Sequence, residues 1–204
     1  MRQLVLLIIC LTMFAGCNTY KHLNLKLESS SPTVSEFSEM NFRQIEAGKS
    51  ILNVLGETEE VFNFESGKSF YLAYELPEFA GAAHIQIRSH FSSVAGTYAD
   101  IVYPTIVLLD KDYTVTRKIV EKFQYVPNRT GIRPMTSFFP IEIKRTPEEK
   151  YMIIFTDPKY LGELGEWHYS GVIAIPDAAI FMRVGSDKQI EFVAGGMIKV
   201  RMKK

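Results

Sequence analysis

The chain has few thiols to work with: two cysteines, Cys10 and Cys17, among 204 residues. Cys10 lies inside an apolar N-terminal run, so a folded domain downstream has no pair for a disulfide. It also has no cluster for zinc and no spare thiol nucleophile. Charge of one sign is missing too, with 23 basic and 23 acidic residues. That balance excludes the electrostatic footprint of a nucleic-acid binder and implies no polybasic patch for anionic lipid. No Gly-x-Ser-x-Gly elbow occurs, and no sustained helical period runs through the chain. Tryptophan occurs once, at position 167. The longest apolar stretch, Leu4 to Gly16, falls short of the ~20 residues that a helix needs to span a bilayer. The full chain is 47% apolar and 12% aromatic, which excludes a disordered chain.

The N-terminus has three parts: Met1-Arg2-Gln3 with one positive charge, an apolar core from Leu4 to Met13, and Phe14-Ala15-Gly16-Cys17. Small residues before the cut suit a signal peptidase. A cysteine directly after them resembles the lipobox of bacterial lipoproteins, with Phe14 where leucine is usual. The expectation is a lipoprotein signal peptide over residues 1–16 and a diacylglycerol on Cys17, whose acyl chains supply ~0.8 kcal/mol per buried methylene. Asn18 follows in place of aspartate. By resemblance to enteric sorting, this points to the periplasmic (inner) leaflet of the outer membrane. Residues 17–36 then read as the lipidated cysteine and a flexible tether, polar through Ser29-Ser30-Ser31-Pro32. Leu23, Leu25 and Leu27 could alternatively add a short strand. Residues 37–204 read as one domain, about 170 residues being enough for a single compact core.

Within that domain, Ser35 to Leu55 is expected to hold only a short helix or turn. From Val61 the period becomes two. Strands are expected at Val61–Phe64, Ser69–Leu76, Ala83–Phe91, Thr105–Leu109, Thr114–Val120, Phe138–Lys144, Tyr151–Thr156, Val172–Ile175, Ile190–Val193 and Met197–Met202. Ala83 to Phe91 places His84, Gln86, Arg88 and His90 on one wet face. Pro147 to Lys150 and Gly195-Gly196 are expected hairpin connections. Many short strands without long helices imply an antiparallel β-sandwich of jelly-roll type.

Tyr103 to Gln124 reads YPTIVLLDKDYTVTRKIVEKFQ. With Glu75-Leu76-Pro77, YMIIFTD at 151–157, Ala174-Ile175-Pro176-Asp177 and the terminal MIKVRM, it resembles the MalM family, periplasmic products of maltose operons. The resemblance runs over about residues 42–204. It departs in the apparent lipidation, and in 181–193, where the family has a proline-rich approach to its last strand. It implies a neighbourhood, maltodextrin uptake, and not a mechanism, the family having no settled biochemical activity.

No catalytic residue, cofactor or metal is expected. His84 and His90 share a face but lie about 20 Å apart along a strand, too far for one ion. Asp110 and Asp112 fit a hairpin turn, with calcium as the alternative reading. Glu163, Glu166 and Asp177 are surface carboxylates before they are a glycosidase pair. The candidate ligand platform is the segment around Tyr160, Trp167, His168 and Tyr169, expected to be a loop. Its aromatic faces suit a sugar ring or a protein partner, while a lone tryptophan capping the core is the competing reading. Expected partners are the membrane through the lipid and a maltodextrin or maltose-uptake component, not nucleic acid. A structural interaction module that binds no sugar is the alternative.

Overall fold

The computed structural model describes residues 20–58, 60–78, 83–94, 98–123, 138–175 and 180–203. At 93–94, 98–99, 138, 167–175 and 180–188 only the backbone is described. The fold is all-β, with strands β1 (Arg43–Gln44), β2 (Ser50–Leu55), β3 (Val61–Phe64), β4 (Gly67–Glu75), β5 (Ala83–His90), β6 (Ser92–Val94) and β7 (Tyr98–Ile101). They continue as β8 (Pro104–Leu109), β9 (Val115–Ile119), β10 (Phe138–Arg145), β11 (Tyr151–Thr156), β12 (Leu164–Ile175), β13 (Ile180–Phe192) and β14 (Gly196–Lys203).

Two sheets face each other. One runs β4-β11-β8-β9, with β1 and β3 added beside β4; the other runs β10-β5-β14-β2. Every neighbour along these two four-strand orders is antiparallel. Numbered one to eight along the chain, the principal strands stand 2-7-4-5 opposite 6-3-8-1. That is the jelly-roll order, two Greek keys closed on one another. Between the sheets lie Phe70, Leu72 and Tyr74 of β4, Ile85 and Ile87 of β5, Ile141 and Ile143 of β10, and Ile198, Val200 and Met202 of β14.

The sheets differ on their outer sides. Tyr71, Ala73, Val107, Leu109, Ile153 and Phe155 point away from the sandwich yet are buried, under Met40, Phe62 and Phe64. Phe64 stacks on Phe155 at 3.7 Å, and Phe37 lies 5.1 Å from Phe62. Residues 34–42 and β3 thus roof this sheet. This explains why β8 is apolar in consecutive positions rather than alternating. The β10-β5-β14-β2 sheet has no such roof, and β5 and β14 alternate buried with accessible residues.

Three sequence expectations are corrected here. Residues 22–29 are not part of a flexible tether: they form helix α1 (His22–Ser29), with Leu23 and Leu27 each 4% exposed in the core. The three leucines alternate as a strand would, but Leu23 and Leu27, four apart, share a helix face while Leu25 faces solvent. Gly195 makes the docking possible, because a Cβ there would lie 2.5 Å from the Leu23 side chain and 2.3 Å from the Leu55 carbonyl. The Asn24 side-chain oxygen accepts from the Ala194 N–H at 2.8 Å. The short helix or turn expected between 35 and 55 is a 3-10 turn at Phe37–Glu39, and Ser50–Leu55 is instead the edge strand β2. Pro147–Lys150 and Gly195-Gly196 are not hairpins, since β10 and β11 lie in different sheets and β13 does not pair with β14. The first of these crossings is pinned by Glu149, 1% exposed, whose carboxylate accepts from Arg117 at 2.6 and 2.9 Å and from the Thr146 N–H at 2.8 Å.

Candidate functional site

The platform expected at Tyr160 to Tyr169 begins at a 3-10 turn, Pro158–Tyr160, started by a proline and capped by Asp157. Burial by itself would raise the Asp157 carboxyl. The Lys159 N–H, the Ser66 hydroxyl and the charges of Lys159 and Lys118 outweigh it and hold the group below its ordinary value. The two ammonium groups lie 3.4 and 3.5 Å away. From the turn the chain crosses to β13, with Gly162 N–H donating to the Phe192 carbonyl and Phe192 N–H donating to Glu163.

Beyond that point the segment is not a loop. Leu164 begins β12, which pairs with β13 along its full length, setting Trp167 opposite Lys188, His168 opposite Asp187 and Tyr169 opposite Ser186. Gly165 in this stretch permits close approach rather than a turn: a Cβ there would meet the Phe192 ring at 3.0 Å. The side chains of Trp167, His168 and Tyr169 lie outside the described residues, as do Cys17 and Asp177.

Tyr160 does not stand alone. Its ring meets Tyr103 edge-on at 4.9 Å, with the Lys159 ammonium 4.7 Å from its centre. Tyr103 in turn stacks on Phe192 at 4.7 Å and on Phe139 at 5.8 Å. Phe123 closes the group at 5.2 Å from Phe139 and 5.5 Å from Phe192. The result is a wall of five rings at the root of the β12–β13 ribbon, with Tyr160 and Phe123 half-buried at its rim. Offset and edge-on contacts of this kind are each worth about 0.5–1.5 kcal/mol beyond their burial. The Tyr103 hydroxyl donates to the Glu121 carbonyl at 2.7 Å. Burial first, then Tyr160, Glu121 and Glu163, raises its pKa, so it stays a neutral donor.

The sequence reading missed Tyr103 and Phe123 as parts of the site. The signal was present, an aromatic directly before Pro104 and another about a dozen residues after the apolar strand, but it reads as strand pattern. Among the described residues the remaining candidates are not brought together as a metal site. Asp110 turns its carboxylate on its own loop, accepting from the N–H groups of Asp112 and Thr114 at 2.9 Å each, as the turn reading requires. Among the described residues no group of three or more His, Cys, Asp or Glu assembles as a metal site. Nor, among them, is any helix long and apolar enough to cross a membrane.

A family model described as "Maltose operon periplasmic protein precursor (MalM)" matches residues 66–166. The span takes in β4 to β11 and the wall residues Tyr103, Phe123, Phe139 and Tyr160, and stops one residue before Trp167. It is narrower than the resemblance read from sequence, leaving α1, β2 and β14 outside. No curated protein matches the chain. Through this central half of its sandwich the protein belongs to a MalM-like family of periplasmic, maltose-operon proteins.

Proposed function

We propose that this protein is a non-catalytic accessory of maltodextrin uptake, held at the periplasmic face of the outer membrane by a lipid on Cys17, and acting by binding sugar or a transport component. The family match over residues 66–166 carries this reading. The lipobox-like Phe14-Ala15-Gly16-Cys17 supports the anchor. The aromatic wall supports a sugar contact: Tyr160 and Phe123 offer ring surface at a rim where tyrosine hydroxyls and a lysine lie close by. Apolar ring faces with polar edges suit the mixed surface of a pyranose. The narrower alternative, an envelope lipoprotein that holds another protein without touching sugar, would use the same ribbon and wall.

Fluorescence of the single tryptophan, titrated with maltodextrins of increasing length, tests the sugar reading. Trp167 is seven residues from Tyr160 and shares a strand with Gly165, so occupancy of the wall should shift its emission. A saturable shift that unrelated sugars do not give supports sugar binding, and its loss in Tyr160→Ala locates it. A flat titration removes the sugar and leaves the protein partner. The anchor has its own test: wild type should partition with membranes and Cys17→Ser should not. Equal partitioning of the two would refute the lipid.

A further inference from the structure

The roof over the β4-β11-β8-β9 sheet is open at its rim. β3 pairs with β4, setting Val61 opposite Phe70 and Asn63 opposite Lys68. In an antiparallel ladder, residues that exchange hydrogen bonds with the partner alternate with residues whose N–H and C=O point to the other side. Tyr71 N–H fixes the phase here, donating to the Glu60 carbonyl at 3.3 Å. Val61 and Asn63 therefore turn their backbone groups outward, away from β4. At Val61 the chain itself takes that side: Thr33 N–H donates to the Val61 carbonyl at 2.8 Å, and Val61 N–H donates to the Thr33 hydroxyl at 3.2 Å. After Thr33 the chain leaves for the turn at Phe37–Glu39. Among the described residues nothing bonds the outward N–H and C=O of Asn63. β3 also lacks the lysine, proline or bulge that blunts an open strand edge.

The gap is a cleft. Residues 32–35 and Glu39 on one side, with Phe62 and Asn63 on the other, enclose about 540 Å³ open to solvent. That falls within the roughly 300–1,000 Å³ of ligand-binding clefts. The charge in the lining is Glu39. Its carboxylate accepts from the Ser35 N–H and hydroxyl at 2.8 and 3.0 Å and from the Glu36 N–H at 3.3 Å, which hold its pKa below the ordinary value. Lys68, across from Asn63, gives its ammonium to the Glu28 and Ser30 carbonyls at 3.0 and 2.6 Å instead.

We infer that this cleft binds an extended peptide segment of a partner protein, which continues along β3 the pairing that Thr33 begins and brings a lysine or arginine to Glu39. A main chain presents its donor and acceptor at the spacing of a strand edge. A basic side chain answers the charge in the lining, and a neutral sugar matches neither feature specifically. The inference is independent of the sugar reading. It uses no residue of the aromatic wall, and residues 32–63 lie outside the family match over 66–166.

For the test, random heptapeptides displayed on phage are selected on the protein expressed from the full chain, and an enriched sequence is made as a free peptide. Its binding is followed by nuclear magnetic resonance of the backbone amides at constant ionic strength. The expected peptides alternate β-branched residues around a lysine or arginine, and they give saturable shifts centred on Thr33, Glu39 and Asn63. Asn63→Pro removes the outward N–H and leaves the ladder to β4 intact. It should weaken binding about threefold to tenfold, the loss of one backbone hydrogen bond. Glu39→Gln keeps an acceptor and removes the charge, and should weaken binding about twofold to fivefold. If Asn63→Pro does not fold, Glu39→Gln decides alone. The inference is overturned if no selected peptide moves Asn63, or if a variant with the wild-type melting temperature binds as tightly as wild type. Shifts at these amides with maltodextrin and not with peptide would also overturn it, since the cleft would then be a sugar subsite.

Discussion

The two sheets of the sandwich share one core and similar strand lengths, yet they treat their outer sides in opposite ways. On β4, β8 and β11, consecutive residues are buried on both faces, the outer one beneath Met40, Phe62 and Phe64. On β5 and β14 every second residue meets solvent, and those residues are largely cationic or amide. An antiparallel sheet with one wet face is common, so the roofed sheet is the exception. Its roof is made by residues 34–42 and β3, which precede β4 in the chain. The difference separates a sheet committed to stability from a sheet left open for contact.

That contrast can be broken by mutation, and the largest expected effect is under the roof. Phe155→Ala removes a ring stacked on Phe64 and should destabilise by about 3–5 kcal/mol, in the range for buried phenylalanine truncation. Denaturant unfolding at constant slope would report it, and a loss below 1 kcal/mol would mean the roof is loosely held. Leu23→Ala comes next, at about 2–5 kcal/mol if α1 is part of the core as its burial indicates. A null result there would restore the tether.

An alkaline titration gives a smaller effect. Tyr74, fully buried between the sheets with Asn53 donating to its hydroxyl at 2.8 Å, has a pKa pushed up to about 12, chiefly by burial. A raised pKa favours the neutral form in the folded state, so its contribution is complete below the unfolded value near 10. It is lost as pH climbs through 12, up to about 3 kcal/mol. Unfolding free energy should therefore fall between pH 10 and 12, and Tyr74→Phe should flatten part of that fall; an unchanged slope would show that the phenol ionises freely. The smallest effect belongs to the open sheet. Leu52, 56% exposed on the edge strand β2, should accept alanine with a change within about 0.5 kcal/mol. A cost near that of Phe155→Ala would erase the distinction between the sheets.

Much of this architecture was legible because period two is a strong signal where one face is wet. Ala83 to His90 declares its inner and outer residues in sequence order, and Tyr151 to Thr156 is bounded as expected. The failures share a cause: tertiary contacts decided what local pattern left open. Leu23 and Leu27 lie in a polar stretch that would not fold alone, and they are helical because the gap over Gly195 receives them. Ser50 to Leu55 is an edge strand with mixed exposure, so its alternation is blurred. At the candidate site, Tyr160 was visible as an aromatic near glycines. Its partners Tyr103, Phe139 and Phe192 come from separate strands, and only the fold brings them within stacking distance.

The docked helix also sets a length. Tyr20, the first described residue, has its ring against the Gly196 backbone, and three peptide steps separate it from Cys17. At about 3.5 Å each those steps reach some 10 Å, less than the radius of gyration of about 16 Å expected for a domain of this size. With lipid on Cys17, as proposed, the protein would ride on the bilayer like a boat at a short mooring. Partners would have to come to it, because it could not cross the periplasm to reach them.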